Sequence, residues 1–169
     1  MRCPLCRHVV PFDDAETIDL MRKNVERGDT AAMTQLGLYY RDGKMGLRVD
    51  LGRAASYYAR AAALGHLGAM VDLGIACEGG RGVPRDAAAA AGWYRKAADG
   101  GHARATLNLG VLHAEGRGVR RDAAEAARLY AEAADVAKRT GEDAAGAVLR
   151  CALGPVARHG APLGRREGV

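Results

Sequence analysis

The chain has 169 residues, with 25 Lys and Arg against 20 Asp and Glu and a formal net charge of +5, a length that suits one domain. Aromatic residues make up only 5% of the chain, and its bases are mixed with acids rather than interleaved with aromatics, which argues against nucleic-acid binding. No apolar run reaches about 18 residues, so we expect no membrane span, and the start lacks the apolar core of a signal peptide.

The first segment, residues 1–12, contains Cys3-Pro4-Leu5-Cys6-Arg7 followed by Pro11. Two thiolates at this spacing can bind one zinc ion from adjacent corners of a tetrahedron, but a structural zinc needs four ligands. The string resembles the closing ligand pair of a RING-type zinc finger, whose preceding ligand pairs are missing from this sequence. Cys3 and Cys6 are therefore metal ligands only if a complete finger precedes them. Otherwise we expect residues 1–12 to be a disordered RING-like remnant, and we expect no cofactor.

The other two cysteines, Cys77 and Cys151, fall inside predicted helices. Four cysteines placed in this way do not form a disulfide framework of the kind found in small secreted proteins. Their use indicates a reducing compartment, and we expect a cytoplasmic protein.

Residues 13–27 read as a single amphipathic helix. Ile18, Met21 and Val25 fall at helical spacing and give one apolar stripe. Asp13 or Asp14 can cap the first turn, and the bases near the end suit the helix macrodipole. We interpret this segment as an N-terminal capping helix.

The chain then repeats itself with a period of about 36 residues, and a fixed period of this size is typical of solenoids. Three copies are predicted, at residues 28–64, 65–100 and 101–140, each with two helices. The recurring marks are Leu36-Gly37, Leu73-Gly74 and Leu109-Gly110, then Asp50, Asp86 and Asp122, Tyr58, Tyr94 and Tyr130, and the Ala pairs at 61/62, 97/98 and 133/134.

Each mark has a structural interpretation, and the recurring Tyr and Ala residues are read as packing between the helices. Asp50, Asp86 and Asp122 stand where N-caps are expected, and the Gly residues before them suit helix ends and turns. A Gly costs about 1 kcal/mol relative to Ala inside a helix. Its recurrence after Leu suggests that a Cβ there would push the paired helices apart.

The pattern decays over residues 141–153, a predicted capping helix, and residues 154–169 read as a flexible tail.

The pattern Ala-x-x-x-Leu-Gly-x-x-Tyr, followed by Gly-x-Gly-Val, Asp and Trp-Tyr, resembles the Sel-one-like repeat family, a relative of the tetratricopeptide repeats. The resemblance spans residues 28–153. Cys77 and His113 depart from it by replacing the usual Tyr. The resemblance implies an all-α, right-handed α-α superhelix of about three helix pairs that acts as a non-catalytic adaptor or scaffold.

In such a solenoid the first helix of each pair lines the concave surface. The positions left over after packing predict an apolar groove with a charged rim, suited to a peptide or helix segment of a protein partner. The predicted groove residues are Thr34, Leu38, Arg41, Val71, Ile75, Glu78, Arg104, Leu107 and Val111.

The sequence can be compared with two other functions. In one, a complete RING finger upstream of Met1 makes the chain the substrate-recruiting part of a ubiquitin ligase. In the other, it resembles cysteine-rich repeat enzymes that bind β-lactams, but those carry a disulfide within each repeat and this chain lacks the paired cysteines. No catalytic arrangement of Ser, Cys, His and Asp is evident. Two copies of Gly-x-Gly-Val and the longer Gly43-Lys44-Met45-Gly46-Leu47 of the first repeat read as turns rather than a nucleotide fingerprint.

Overall fold

The computed structural model describes residues 13–141, and within this range the chain is helical, with no strand. The predicted segments 1–12, 142–153 and 154–169 lie outside the described residues, and so do Cys3, Cys6 and Cys151. The helices are α1 (Asp14–Glu26), α2 (Thr30–Asp42), α3 (Leu51–Ala63), α4 (Leu67–Gly79), α5 (Ala87–Asp99), α6 (Ala103–Glu115) and α7 (Ala123–Thr140).

Every helix packs against its neighbours along the chain. The pairs α2 and α3, α4 and α5, and α6 and α7 form the three repeats, while α3 packs on α4 and α5 packs on α6 to stack one repeat on the next. The α1 helix packs on α2 and buries Ile18 and Val25. The predicted all-α solenoid is therefore confirmed.

Side-chain caps fix where the helices begin. The carboxylates of Asp50, Asp86 and Asp122 each accept a hydrogen bond of 2.9 Å from the amide three residues further on. At the start of α4, His66 takes this role, since its Nδ1 accepts from the Ala69 amide at 3.1 Å. His102 holds the equivalent place before α6 but makes no side-chain cap bond.

The Gly of each Leu-Gly pair lies where a tyrosine ring from the second helix of the same repeat contacts the first helix. A Cβ built on Gly37 would meet Cδ1 of Tyr58 at 2.8 Å, and one built on Gly74 would meet Cδ1 of Tyr94 at 2.8 Å. Such distances are closer than real Cβ atoms tolerate. The expectation that these glycines permit close helix packing is confirmed.

Two turn glycines stack the repeats. Gly82, with φ +75°, lies directly on the backbone of Leu51 at the start of α3, and Gly118, with φ +67°, lies on Ala87 at the start of α5. Each turn therefore rests on the second helix of the preceding repeat. Gly46 is the counterpart in the first repeat, and a Cβ there would meet nothing within 4 Å.

The core runs through all three repeats. Tyr94, Leu36, Leu112 and Thr106 are its largest fully buried side chains. The last helix, α7, has 18 residues where the other helices have 13, and its final turns pack Val136 and Ala137 against Ala103.

Candidate functional site

Three apolar side chains occupy equivalent positions on the first helices of the three repeats. Leu38, Ile75 and Val111 each follow the Gly of a Leu-Gly pair, and each is half-buried. One helical turn earlier stand Gln35, Asp72 and Asn108, also half-buried. Residues three apart share one side of a helix. We call the surface formed by these six residues the first-helix face.

Two predicted groove residues lie in the core instead. Val71 is 2% exposed and belongs to the main hydrophobic cluster, while Leu107 is 5% exposed and packs with Ala133. The sequence-based picture of these side chains as open to a partner therefore needs correction. Their positions are buried because a first helix contacts its own second helix and also the second helix of the preceding repeat.

Thr34 and Arg104, also predicted for the groove, lie toward the starts of their helices. The Thr34 hydroxyl donates to the carbonyl of Thr30 at 2.8 Å and lies 3.3 Å from Nδ1 of His66. Thr34 thus contributes to the contact between the first two repeats. Arg104 is exposed at the start of α6.

Glu78 accepts hydrogen bonds from two side chains at the boundary between the second and third repeats. Its Oε2 accepts from the Tyr94 hydroxyl at 3.0 Å, and its Oε1 lies 2.6 Å from Nη1 of Arg117. Burial, followed by the nearby Glu78 carboxylate, raises the pKa of the Tyr94 phenol. The predicted rim residue therefore has two partners inside the protein.

Arg41 lies at the boundary between the first and second repeats, beside a small pocket. Its guanidinium donates to Asp42 at 2.7 and 3.1 Å. Nearby, Tyr58 is 3% exposed, and no side chain among residues 13–141 meets its hydroxyl in hydrogen-bonding geometry. The pocket is lined by Arg41, Leu51, Ala54, Ala55, Tyr58, Asp72, Ile75, Ala76 and Arg81.

Burial perturbs the titrating groups of this pocket. It raises the pKa of Tyr58 to about 12, an effect that Asp72 adds to and Arg41 opposes. Burial also raises the pKa of Asp72, against the attraction of Arg41 and Arg104. An acid and a phenol are therefore both held toward their neutral forms beside two guanidinium groups.

Sequence reasoning missed Tyr58, Asp72 and Arg81 as pocket residues. The sequence predicts packing for Tyr58, which its burial supports, and a turn for Arg81. One signal was available for Asp72, since the position three residues before Leu38, Ile75 and Val111 is polar in every repeat. A polar position repeated beside an apolar one indicates a surface facing a partner or solvent.

Cys77 is buried, which raises the pKa of its thiol and makes it a poor nucleophile. Among residues 13–141 no cluster of His, Cys, Asp and Glu is placed to hold a metal ion. None of the helices described is both long and apolar enough to cross a bilayer.

The family model for the Sel1 repeat matches the chain three times, at residues 30–66, 68–102 and 103–136. These matches together cover more than half of the sequence. Among curated proteins, none matches the chain.

Solved structures share the fold. A protective antigen of uropathogenic Escherichia coli with an SLR fold is similar with 37% identity and a TM-score of 0.67, over 70% of this chain and 25% of the antigen. A Sel1 repeat protein from Oxalobacter formigenes is similar with 33% identity and a TM-score of 0.66, over 74% of this chain and 50% of that protein.

Cysteine-rich protein B of Helicobacter pylori shares the fold at 21% identity, with a TM-score of 0.60 over 83% of this chain and 97% of that protein. The chain thus spans a quarter to a half of the length of the two relatives with higher identity.

Proposed function

The chain belongs to the Sel1 repeat family, and on this basis we propose that it is a non-catalytic scaffold that binds a peptide or helix segment along its first-helix face. Sel1 repeat proteins are generally protein-interaction scaffolds. The observation that carries the proposal is the placement of Leu38, Ile75 and Val111 at one equivalent position of three successive repeats, each half-buried.

The chemistry of this face suits a protein partner. Partly exposed apolar side chains beside polar ones match the make-up of a protein interface, where apolar contacts supply affinity and a polar rim supplies orientation. An amphipathic helix or an extended peptide presents side chains at intervals that such a groove can accept. With only three repeats contributing, the groove is short, and we expect one segment to bind weakly.

The test is a peptide array probed with the wild-type chain and with a double variant, Leu38→Gln with Ile75→Gln. Leu64→Gln is the matched control, because Leu64 is an apolar side chain 59% exposed at the end of α3, which is a second helix and not part of the first-helix face. The proposal expects selective peptide capture by the wild type and the control but not by the double variant. Equal capture by all three would count against it.

The same proposal places the protein in the cytoplasm, without a nucleic-acid or membrane partner. Among residues 13–141 Cys77 is a buried free cysteine, which agrees with a reducing compartment. Several Arg side chains pair with acids, including Arg22 with Asp19, Arg53 with Asp50 and Arg128 with Glu125. Such pairing leaves less positive charge to attract phosphates.

A second candidate function is substrate recruitment within a RING-type ubiquitin ligase. The string Cys3-Pro4-Leu5-Cys6-Arg7 favours it, although these residues lie outside the described part of the chain. Further Cys and His pairs encoded upstream of Met1 would complete four-ligand zinc sites. The test is zinc-dependent ubiquitin transfer by the longer product with a conjugating enzyme, compared with a Cys3→Ser, Cys6→Ser variant.

A further inference from the structure

We propose that the pocket between the first and second repeats is a carboxylate-binding site, with Tyr58, Arg41 and Arg81 as its donors. The identification of the carboxylate as part of a protein partner rests on the proposed function. The site itself does not, because a free carboxylate tests it directly.

The argument comes from the next boundary of the same chain. There, the Glu78 carboxylate accepts from the Tyr94 hydroxyl at 3.0 Å and pairs with Arg117 at 2.6 Å. One carboxylate thus joins a buried tyrosine of the second repeat to a turn arginine of the third. At the boundary between the second and third repeats, the protein itself therefore supplies the anion, which is the Glu78 carboxylate.

The first boundary has the same donors without the anion. Tyr58 is the counterpart of Tyr94, and Arg81 is the counterpart of Arg117 in the same Gly-Arg-Gly turn. Arg41 stands where the second repeat has Glu78, so a cation replaces the carboxylate. Tyr58, Arg41 and Arg81 line one pocket, and the Tyr58 hydroxyl is buried without a partner among the described residues.

The donor inventory of the pocket favours an anionic ligand. A guanidinium carries five N–H donors, and Arg41 uses two of them on Asp42. No ion pair of Arg81 is found within residues 13–141. A carboxylate can accept from two guanidinium groups and a phenol at once, and such charge-assisted bonds are stronger than neutral ones.

One acidic group faces the same pocket and sets a limit on affinity. Asp72 occupies the position that Asn108 holds at the second boundary. Its charge would repel an incoming carboxylate. Burial already raises the pKa of Asp72, while Arg41, Arg104, His102 and His66 act to lower it. Arg41 also pairs with Asp42, so an incoming carboxylate binds through the donors of Arg41, Arg81 and Tyr58 that Asp42 and Asp72 leave unused.

The first experiment titrates the chain with sodium acetate and follows the Tyr58 ring and the Arg41 and Arg81 Nε–H signals by NMR, with sodium chloride as the control salt. We expect saturable shifts with acetate alone. Arg41→Glu should abolish them, because its carboxylate would fill the pocket as Glu78 fills the next one, and should raise the melting temperature.

Two further variants keep the test decisive. Tyr58→Phe retains the buried ring while removing the donor, so it should weaken acetate binding severalfold without loss of fold. Asp72→Asn should tighten acetate binding severalfold, since it removes the opposing charge and recreates the residue found at Asn108. Acetate shifts that are absent in the wild type, or that persist in Arg41→Glu, would overturn the site.

The source of the carboxylate is resolved with two sets of short apolar peptides. One set carries a central Glu and an amidated C-terminus, and the other carries Gln and a free C-terminus. Binding of the first set alone, lost in Arg41→Glu, identifies an acidic side chain, and binding of the second alone identifies a chain end. Acetate binding without either peptide would uphold the pocket and count against the proposed function.

Discussion

The hydroxyl of Tyr94 donates a hydrogen bond to Oε2 of Glu78 over 3.0 Å, joining the second helix of one repeat to its first. The counterpart of Tyr94 in the preceding repeat, Tyr58, is equally buried but has no such partner among the described residues. The two boundaries of the solenoid thus share a scaffold, but the first lacks a carboxylate like that of Glu78, which joins Tyr94 to Arg117 at the second. This difference separates a boundary that is closed from one that can accept a ligand.

The two tyrosines should respond differently to loss of the hydroxyl. Tyr94→Phe should lower the free energy of unfolding by about 1 to 2 kcal/mol, because it removes a bond to a charged acceptor. Tyr58→Phe should be neutral or slightly stabilising, because it removes a buried donor that has no acceptor. Urea unfolding followed by circular dichroism measures both. Equal losses would show that Tyr58 has a partner in solution.

Two helix glycines, Gly74 and Gly92, should respond in opposite ways to replacement by Ala. Gly74→Ala should destabilise the protein by about 1 to 3 kcal/mol, since its Cβ would press into the Tyr94 ring. Gly92→Ala in α5 should instead stabilise it by up to about 1 kcal/mol, because a Cβ there meets nothing within 4 Å and Ala favours the helix. Thermal melts of the two variants should move in opposite directions. A rise in both would refute the close-packing role of Gly74.

Truncation of Leu107 and Ile75 distinguishes the core from the first-helix face. Leu107→Ala should cost about 2 to 5 kcal/mol, as expected for a buried Leu. Ile75→Ala should cost less than Leu107→Ala, since Ile75 is only half-buried. Denaturant midpoints at constant slope give the comparison. A larger loss at Ile75 would mean that the face has been assigned to the wrong side of the helices.

Much of the fold could be predicted because its signals are local or periodic. The Asp caps, the Gly-Val turns and the Leu-Gly pairs recur at a fixed spacing, and each has one physical interpretation. The burial of Val71 and Leu107 could not be predicted in this way. A first helix contacts two second helices, so more than one side of it is buried. Residues at the edge of the buried side do not follow a single apolar stripe, and the sequence pattern predicts them to be exposed.

The pocket between the first two repeats was beyond sequence reasoning for a different reason. Arg41, Tyr58 and Arg81 come from a helix end, a second helix and the turn of the next repeat. Their meeting depends on how the repeats stack, which no local window contains. The exchange of Glu78 for Arg41 at equivalent positions is visible in the sequence, but its meaning required the partners of Glu78 to be known.

Asp72 should make the stability of the folded protein decrease as the pH rises. Because burial raises its pKa in the folded protein, the folded state binds more protons than the unfolded state between the unfolded pKa, about 3.9, and the folded value. Stability contributed by this group therefore falls as the pH rises through that window. Asp72→Asn should be more stable than the wild type at neutral pH, with the advantage vanishing below about pH 4.

Thermal melts of the wild type and Asp72→Asn at several pH values from about 3 to 7 test this direction. The difference between the two melting temperatures removes the contribution of other titrating groups. Asp42 is one such group, since its salt bridge with Arg41 holds the pKa at about 2 and favours the folded state at higher pH. An advantage of Asp72→Asn that grows on acidification would contradict the assigned environment.

The most direct test of the central claim is the dissociation constant of an array-selected peptide for three forms of the chain. For the wild type and for Leu64→Gln we predict the same value. For Leu38→Gln with Ile75→Gln, with helical circular dichroism unchanged, we predict affinity at least about tenfold weaker, corresponding to about 1.4 kcal/mol. Unchanged affinity in the double variant, or an equal loss in Leu64→Gln, would show that the first-helix face is not where the partner binds.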